Sequence, residues 1–170
     1  MAAIDVRKAF LKGISYKELA KQTGEPERDV NFELGYETAM ILRQCEGFQD
    51  FDYRTEVLAC TRPGQGSKDA PRCWSMRLAQ VNIEEWRATS VTHDESCLVR
   101  HEGQQQELDF IASVHVDDIK PACHINTLKV YILTLEATFG KGELEITIYN
   151  FTCSGLRHVI TDDGYTLDQE

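Results

Sequence analysis

The chain is poor in proline (four residues) and methionine (three), and no stretch approaches the ~18 consecutive apolar residues of a membrane-spanning helix. Its first eleven residues already include Asp5, Arg7 and Lys8, so they lack the apolar core of a secretory signal. The expectation is a soluble intracellular protein, cytoplasmic or nuclear, that is not secreted and engages no membrane. Six cysteines (Cys45, Cys60, Cys73, Cys97, Cys123, Cys153) lie at least 13 residues apart and form no C-x-x-C pair. That spacing argues against a zinc knuckle and for scattered reduced thiols. Internal repeats are absent, and low complexity is confined to Gln104–Gln106. Basic residues are scarce too: 18 against 28 acidic, a net charge of −10. A generic nucleic-acid coat is therefore excluded, because phosphate binding needs basic surface.

What remains is 170 residues, 42% hydrophobic and 27% charged, enough for one domain with a real core or a large piece of a bigger one. The charge is uneven. Residues 1–21 set Arg7, Lys8, Lys12, Lys17 and Lys21 against Asp5 and Glu18, and residues 61–80 set Arg62, Lys68, Arg72 and Arg77 against Asp69. Two basic islands thus sit in an acidic chain.

Local patterns predict an α+β layout. A strand is expected to end near Asp5. Ser15 and Glu18 have capping-box spacing and open a helix that Gly24 and Pro26 stop. A short helix is expected near Tyr36–Gln44, within a stretch, 27–62, of weak periodicity. The loop Pro63–Ser67 leads to a helix capped by Asp69 or Ser67, with Pro71 in its first turn and Trp74, Leu78 and Val81 on a core-facing stripe. Strands are expected at Cys97–Arg100 and Leu108–Val116, joined across Glu102–Gln106, with Asp117-Asp118 ending the second. Ile125, Leu128, Ile132, Leu135 and Phe139 mark a helix stopped by Gly140. Leu144, Ile146 and Ile148 alternate as a strand, and Asp162-Asp163-Gly164 suits a hairpin turn.

Adjacent carboxylates at a strand end carry specific chemistry. Two anions side by side need a compensating cation, and hard divalent ions take carboxylate oxygens. With Asp5 on a neighbouring strand, Asp117 and Asp118 would supply three carboxylates, enough for two metals ~3.5–4 Å apart. The bland alternative is a solvated turn. Against it stands the apolar run ending V-H-V before the pair and Ile119 after it.

Three segments together carry a family resemblance. Ser113–Ile119, SVHVDDI, resembles the Y-V-D-D box of reverse transcriptases. Asp5–Gly13, DVRKAFLKG, resembles the first palm motif of copia-type retrotransposons, D-V-x-x-A-F-L-x-G. Gly66–Trp74, GSKDAPRCW, resembles their G-L-K-Q-A-P-R-A-W. Phe139–Gly142 and Phe151–Val159 occupy the places of the lysine-bearing fourth motif and the primer-grip strand.

The resemblance implies a palm-like antiparallel sheet with helices on one face (residues 1–14 and 66–150), a partial fingers segment (15–65) and primer-grip-like strands (151–170). It implies an RNA-directed DNA polymerase, a nucleotidyltransferase that takes deoxynucleoside triphosphates and an RNA or DNA template-primer and uses two Mg²⁺ (or Mn²⁺) ions. Asp5, Asp117 and Asp118 would be catalytic and metal-binding, with the Val6 carbonyl as a further ligand. Lys8, Ala9, Phe10, Gln65, Gly66, Val116 and Lys141 would contact the nucleotide, and Lys68 and Arg72 the nucleic acid.

His115 stands where the family has Tyr, and an imidazole can charge beside the aspartates; Asp69 stands where it has Gln. Asp5 lies only a few residues into the chain, so a palm-centred fragment is expected, without upstream fingers, RNase H or integrase. Two other readings stay open: a truncated or decayed, catalytically inactive retroelement-derived module, and a two-metal nuclease or phosphatase on the same aspartates.

Overall fold

A computed structural model of the chain describes residues 1–153, 155–161 and 163–169. In chain order the elements are β1 (Ala2–Val6), a 3-10 turn (Ala9–Lys12), α1 (Tyr16–Thr23), β2 (Asn31–Phe32), α2 (Tyr36–Leu42), β3 (Leu58–Ala59) and α3 (Ala70–Gln80). A π-helical turn (Val81–Glu85) extends α3, and β4 (Thr89–Val91), β5 (Asp94–Glu102), β6 (Glu107–His115), β7 (Asp118–Cys123) and α4 (Ile125–Phe139) follow. The chain closes with β8 (Leu144–Ile148), β9 (Phe151–Cys153), β10 (Leu156–Thr161) and β11 (Gly164–Gln169). The result is mixed α+β. Six antiparallel strands, in the order β4-β5-β6-β7-β1-β8, make the main sheet; β11-β10-β9 and β2-β3 make two small ones.

Alternation decides which side of the main sheet is dry. Ala2, Ile4 and Val6 of β1, Leu98 of β5, Phe110 and Ala112 of β6 and Ile119 of β7 are buried in one cluster with Trp74 and Leu78 of α3 and Leu128, Tyr131 and Leu135 of α4. Asp5, His115 and Asp118 fall on the intervening positions, away from that cluster. The helices on that side are joined to each other by a buried polar bond, from α4 to the π-helical turn after α3. The Tyr131 hydroxyl donates to Asn82 Oδ1 at 2.8 Å, while Asn82 Nδ2 donates to the Leu78 carbonyl at 3.0 Å, so the amide is satisfied on both sides. Burial pushes the Tyr131 pKa far up, which keeps the hydroxyl a donor.

Most local expectations hold. Ser15 and Glu18 form a complete capping box, and Gly24 ends α1 at φ 73°. The α4 and β8 patterns form the elements expected of them, and β10 and β11 pair through Thr161 and Gly164, with Asp162 of the expected turn outside the described residues.

Two expectations need correction. Asp117-Asp118 does not simply end the second strand: β6 stops at His115, Val116-Asp117 make the turn, and Asp118 opens β7. Pro121 hides β7 in the sequence. The ladder to β6 runs on through Pro121 opposite Ala112, but the ladder to β1 holds only Ile4 with Ile119 and Asp5 with Asp118. It stops short of Pro121, which has no N–H to give it. Asp69 does stand at the N-cap of α3, yet its side chain caps nothing. Its backbone is already helical (φ −89°, ψ −13°), whereas a capping side chain needs an extended residue, and the carboxylate instead pairs with Arg28 at 3.0 Å.

Candidate active site

The register of the main sheet assembles a row of titratable side chains across four strands. His115 of β6 lies opposite Asp118 of β7, Asp118 opposite Asp5 of β1, and Asp5 opposite Glu145 of β8. Opposed residues share a face, so these groups stand side by side at one end of the sheet, with Asp117 in the adjoining turn. The Val6 N–H donates to the Asp117 carbonyl at 3.4 Å, which ties the turn to the end of β1.

Crowding of like charge is visible at Asp5. Partial burial pushes its pKa up, the charges of Asp117, Asp118 and Glu145 push it further, and Arg7 draws it back. Arg7 Nε donates to Glu145 Oε1 at 2.8 Å, an exposed pair on the flank of the row. Among the described residues, no three His, Cys, Asp or Glu side chains converge tightly enough to hold a metal ion as they stand.

The turn that carries Asp117 is conformationally costly. Val116 has φ 56°, a left-handed backbone that β-branched residues avoid, at a cost of ~1–3 kcal/mol. Its surroundings hold it there. Trp74 Nε1–H donates to the Val116 carbonyl at 2.7 Å from a ring that is fully buried and packed on Phe139, with ring centres 5.1 Å apart. Trp74 is therefore a core residue, as its stripe predicts, and also the anchor of the turn.

The other candidates fall in four places. Lys8 is exposed at φ 55° where the chain leaves β1, Ala9 is buried, and Phe10 is half-buried against the main core. Gln65 and Gly66 are exposed in the loop before α3, where Gly66 takes φ 87°. Lys68 is exposed at the start of α3, whereas Arg72 is engaged by Glu25 at 3.0 and 3.2 Å. Lys141 is exposed in the turn after α4.

Gly13, the last residue of the first motif, has a packing role. A Cβ there would lie 2.9 Å from the Cys73 carbonyl carbon and 2.9 Å from the Trp74 nitrogen, and the Ile14 N–H donates to the Cys73 carbonyl at 3.1 Å. The first and second motifs are thus pressed together by a residue without a side chain.

Sequence reasoning missed Glu145. The alternation of β8 separates it from Leu144 and Ile146, but nothing local says that β8 pairs with β1. No protein-family model matches the chain, and no match was found among curated proteins or solved structures.

Proposed function

We propose that the chain is the palm-centred part of an RNA-directed DNA polymerase resembling those of copia-type retroelements. One observation carries the reading: Asp5 and Asp118, each drawn from a separate motif of the resemblance, oppose each other on β1 and β7 with Asp117 in the adjacent turn.

The donor set suits hard divalent cations, which take carboxylate oxygens and would offset the repulsion that raises Asp5. Asp5, Asp117 and Asp118, with the Val6 carbonyl, would hold Mg²⁺ or Mn²⁺. When bound, such ions lower the pKa of a primer 3′-hydroxyl and stabilise charge on the phosphate under attack and on the departing pyrophosphate.

The chain's own residues supply position. Trp74 holds the Val116 carbonyl and so orients Asp117. β1 and β7 fix the Asp5–Asp118 spacing. His115, beside Asp118, places a titratable ring where the family has Tyr. Lys8, Ala9, Phe10, Gln65, Gly66, Val116 and Lys141 would surround the nucleotide, and Lys68 and Arg72 the nucleic acid, Arg72 exchanging its Glu25 partner for a phosphate.

Primer extension tests the proposal: oligo(dT) on poly(rA), with thymidine triphosphate and Mg²⁺ or Mn²⁺. Metal-dependent extension that disappears in Asp117→Asn and Asp118→Asn is expected. Unchanged extension in either variant would refute the assignment, and template-primer binding without any extension by the parent chain would favour the inactive retroelement-derived module.

A further inference from the structure

A second polar site shares no residue with the carboxylate row. Lys12, Glu18 of α1, Arg62 of the loop after β3, Arg77 of α3, and Thr138 and Phe139 at the end of α4 line a pocket of about 240 Å³. Three cations and one carboxylate therefore meet in a chain whose net charge is −10.

Their commitments differ. Lys12 Nζ donates to the Phe139 carbonyl at 2.7 Å and pairs with Glu143 at 3.2 Å, which fixes it in the wall. Arg62 spends one N–H, at 3.3 Å, on the Gly13 carbonyl, and Arg77 spends one, at 3.4 Å, on Gln80. Among the described residues, neither guanidinium has a carboxylate within ion-pair distance, and each carries five N–H donors. Glu18 Oε2 is taken by the Ser15 N–H and hydroxyl, both at 2.7 Å. The fields of Arg62 and Arg77 reach it even so, since both help to hold its carboxyl below the usual value.

We propose that this pocket binds a compact phosphate-class oxyanion, with Arg62 and Arg77 as its ligands. Planar guanidinium forks match the oxygens of a phosphate two at a time. Size sets the class. The volume far exceeds the ~10–15 Å³ that one water occupies, yet falls below the ~300–1,000 Å³ of sites for drug-sized organic ligands, so phosphate or pyrophosphate fits where a nucleoside does not. The same chemistry could come from a phosphodiester at the end of a strand. Because the lining is drawn from five separate segments, occupancy fastens them together and stabilises the fold by linkage. The proposal is independent of the polymerase reading.

Calorimetric titration and thermal melting of the full chain with inorganic phosphate and with pyrophosphate, against sodium chloride of equal ionic strength, test it. Saturable one-site binding and a rise in melting temperature beyond the chloride control are expected. The double variant Arg62→Gln/Arg77→Gln should bind about tenfold or more weakly. Glu18→Gln keeps a capping acceptor but removes the opposing charge, and should bind several-fold more tightly. Displacement of phosphate by a short oligodeoxynucleotide would assign the source to a nucleic-acid backbone; persistence of bound phosphate would assign it to a free oxyanion. The site is refuted if phosphate acts no differently from chloride, if a folded double variant binds like the parent, or if Glu18→Gln weakens binding.

Discussion

Asp5 and Asp118 oppose each other across the β1–β7 ladder, at one of only two register positions that the ladder contains. Directly opposed like charges destabilise a sheet, and here Asp117 and Glu145 add to the same field. Under the proposed function, bound divalent cations would offset that repulsion.

Removing one of these charges should therefore stabilise the metal-free protein. Asp5 has a raised pKa, so its ionisation is disfavoured in the folded state: stability is greater when it is protonated and falls as pH rises through the raised value. Asp5→Asn should gain roughly 0.2–1 kcal/mol at neutral pH, and the gain should shrink as pH falls through the raised value and be gone below the ordinary value of 3.8. Scanning calorimetry in chelator-treated buffer at a series of pH values measures both.

Divalent cations should reverse the ranking. Mg²⁺ or Mn²⁺ is expected to raise the melting temperature of the parent chain saturably, while Asp5→Asn and Asp118→Asn respond no more than to a monovalent salt of equal ionic strength. Equal responses in all three would remove the metal from the reading.

Trp74→Phe retains most of the buried ring but leaves the Val116 carbonyl without its donor. A loss of about 1–3 kcal/mol in urea unfolding is expected. Any polymerase activity should fall disproportionately, because the strained turn that carries Asp117 would lose its anchor.

Gly13→Ala should destabilise by about 1–3 kcal/mol, since the added methyl would press on backbone atoms of Cys73 and Trp74 rather than on a flexible side chain. Gly24→Ala makes a useful contrast. Nothing lies within 4 Å of the added carbon there, so its cost comes from the positive φ alone. A difference in how the two variants shift the α3 amides in an NMR spectrum separates the mechanisms.

The capping box gives a pH signature of the opposite sign to that of Asp5. Hydrogen bonds from Ser15 hold the Glu18 carboxyl below its ordinary value, so its contribution is fully present above that value of 4.5 and is lost as pH falls through the lowered one. The melting-temperature gap between the parent chain and Glu18→Ala should hold steady from neutral pH down to about 5 and close below 4.5.

Local chemistry made much of this protein legible from its amino acids. The S-x-x-E box opens α1, the 3-4-3-4 apolar spacing and Gly140 bound α4, and the alternation of Leu108–Val114 marks β6, because each depends on interactions within a few residues. The same is true of the candidate carboxylates, whose residue types and neighbours are properties of short segments. Partnership was not legible. That β7 follows Asp117 was hidden by Pro121, that β8 lies beside β1 and brings Glu145 into the row has no local signal, and that Asp69 prefers Arg28 to its own helix end depends on a segment far away in the chain. Short-range periodicity and capping settle which elements form. Which strands become neighbours, and so which charges must share a space, is decided by burying Trp74, Phe110 and Tyr131 in one common core, a condition on the whole chain at once.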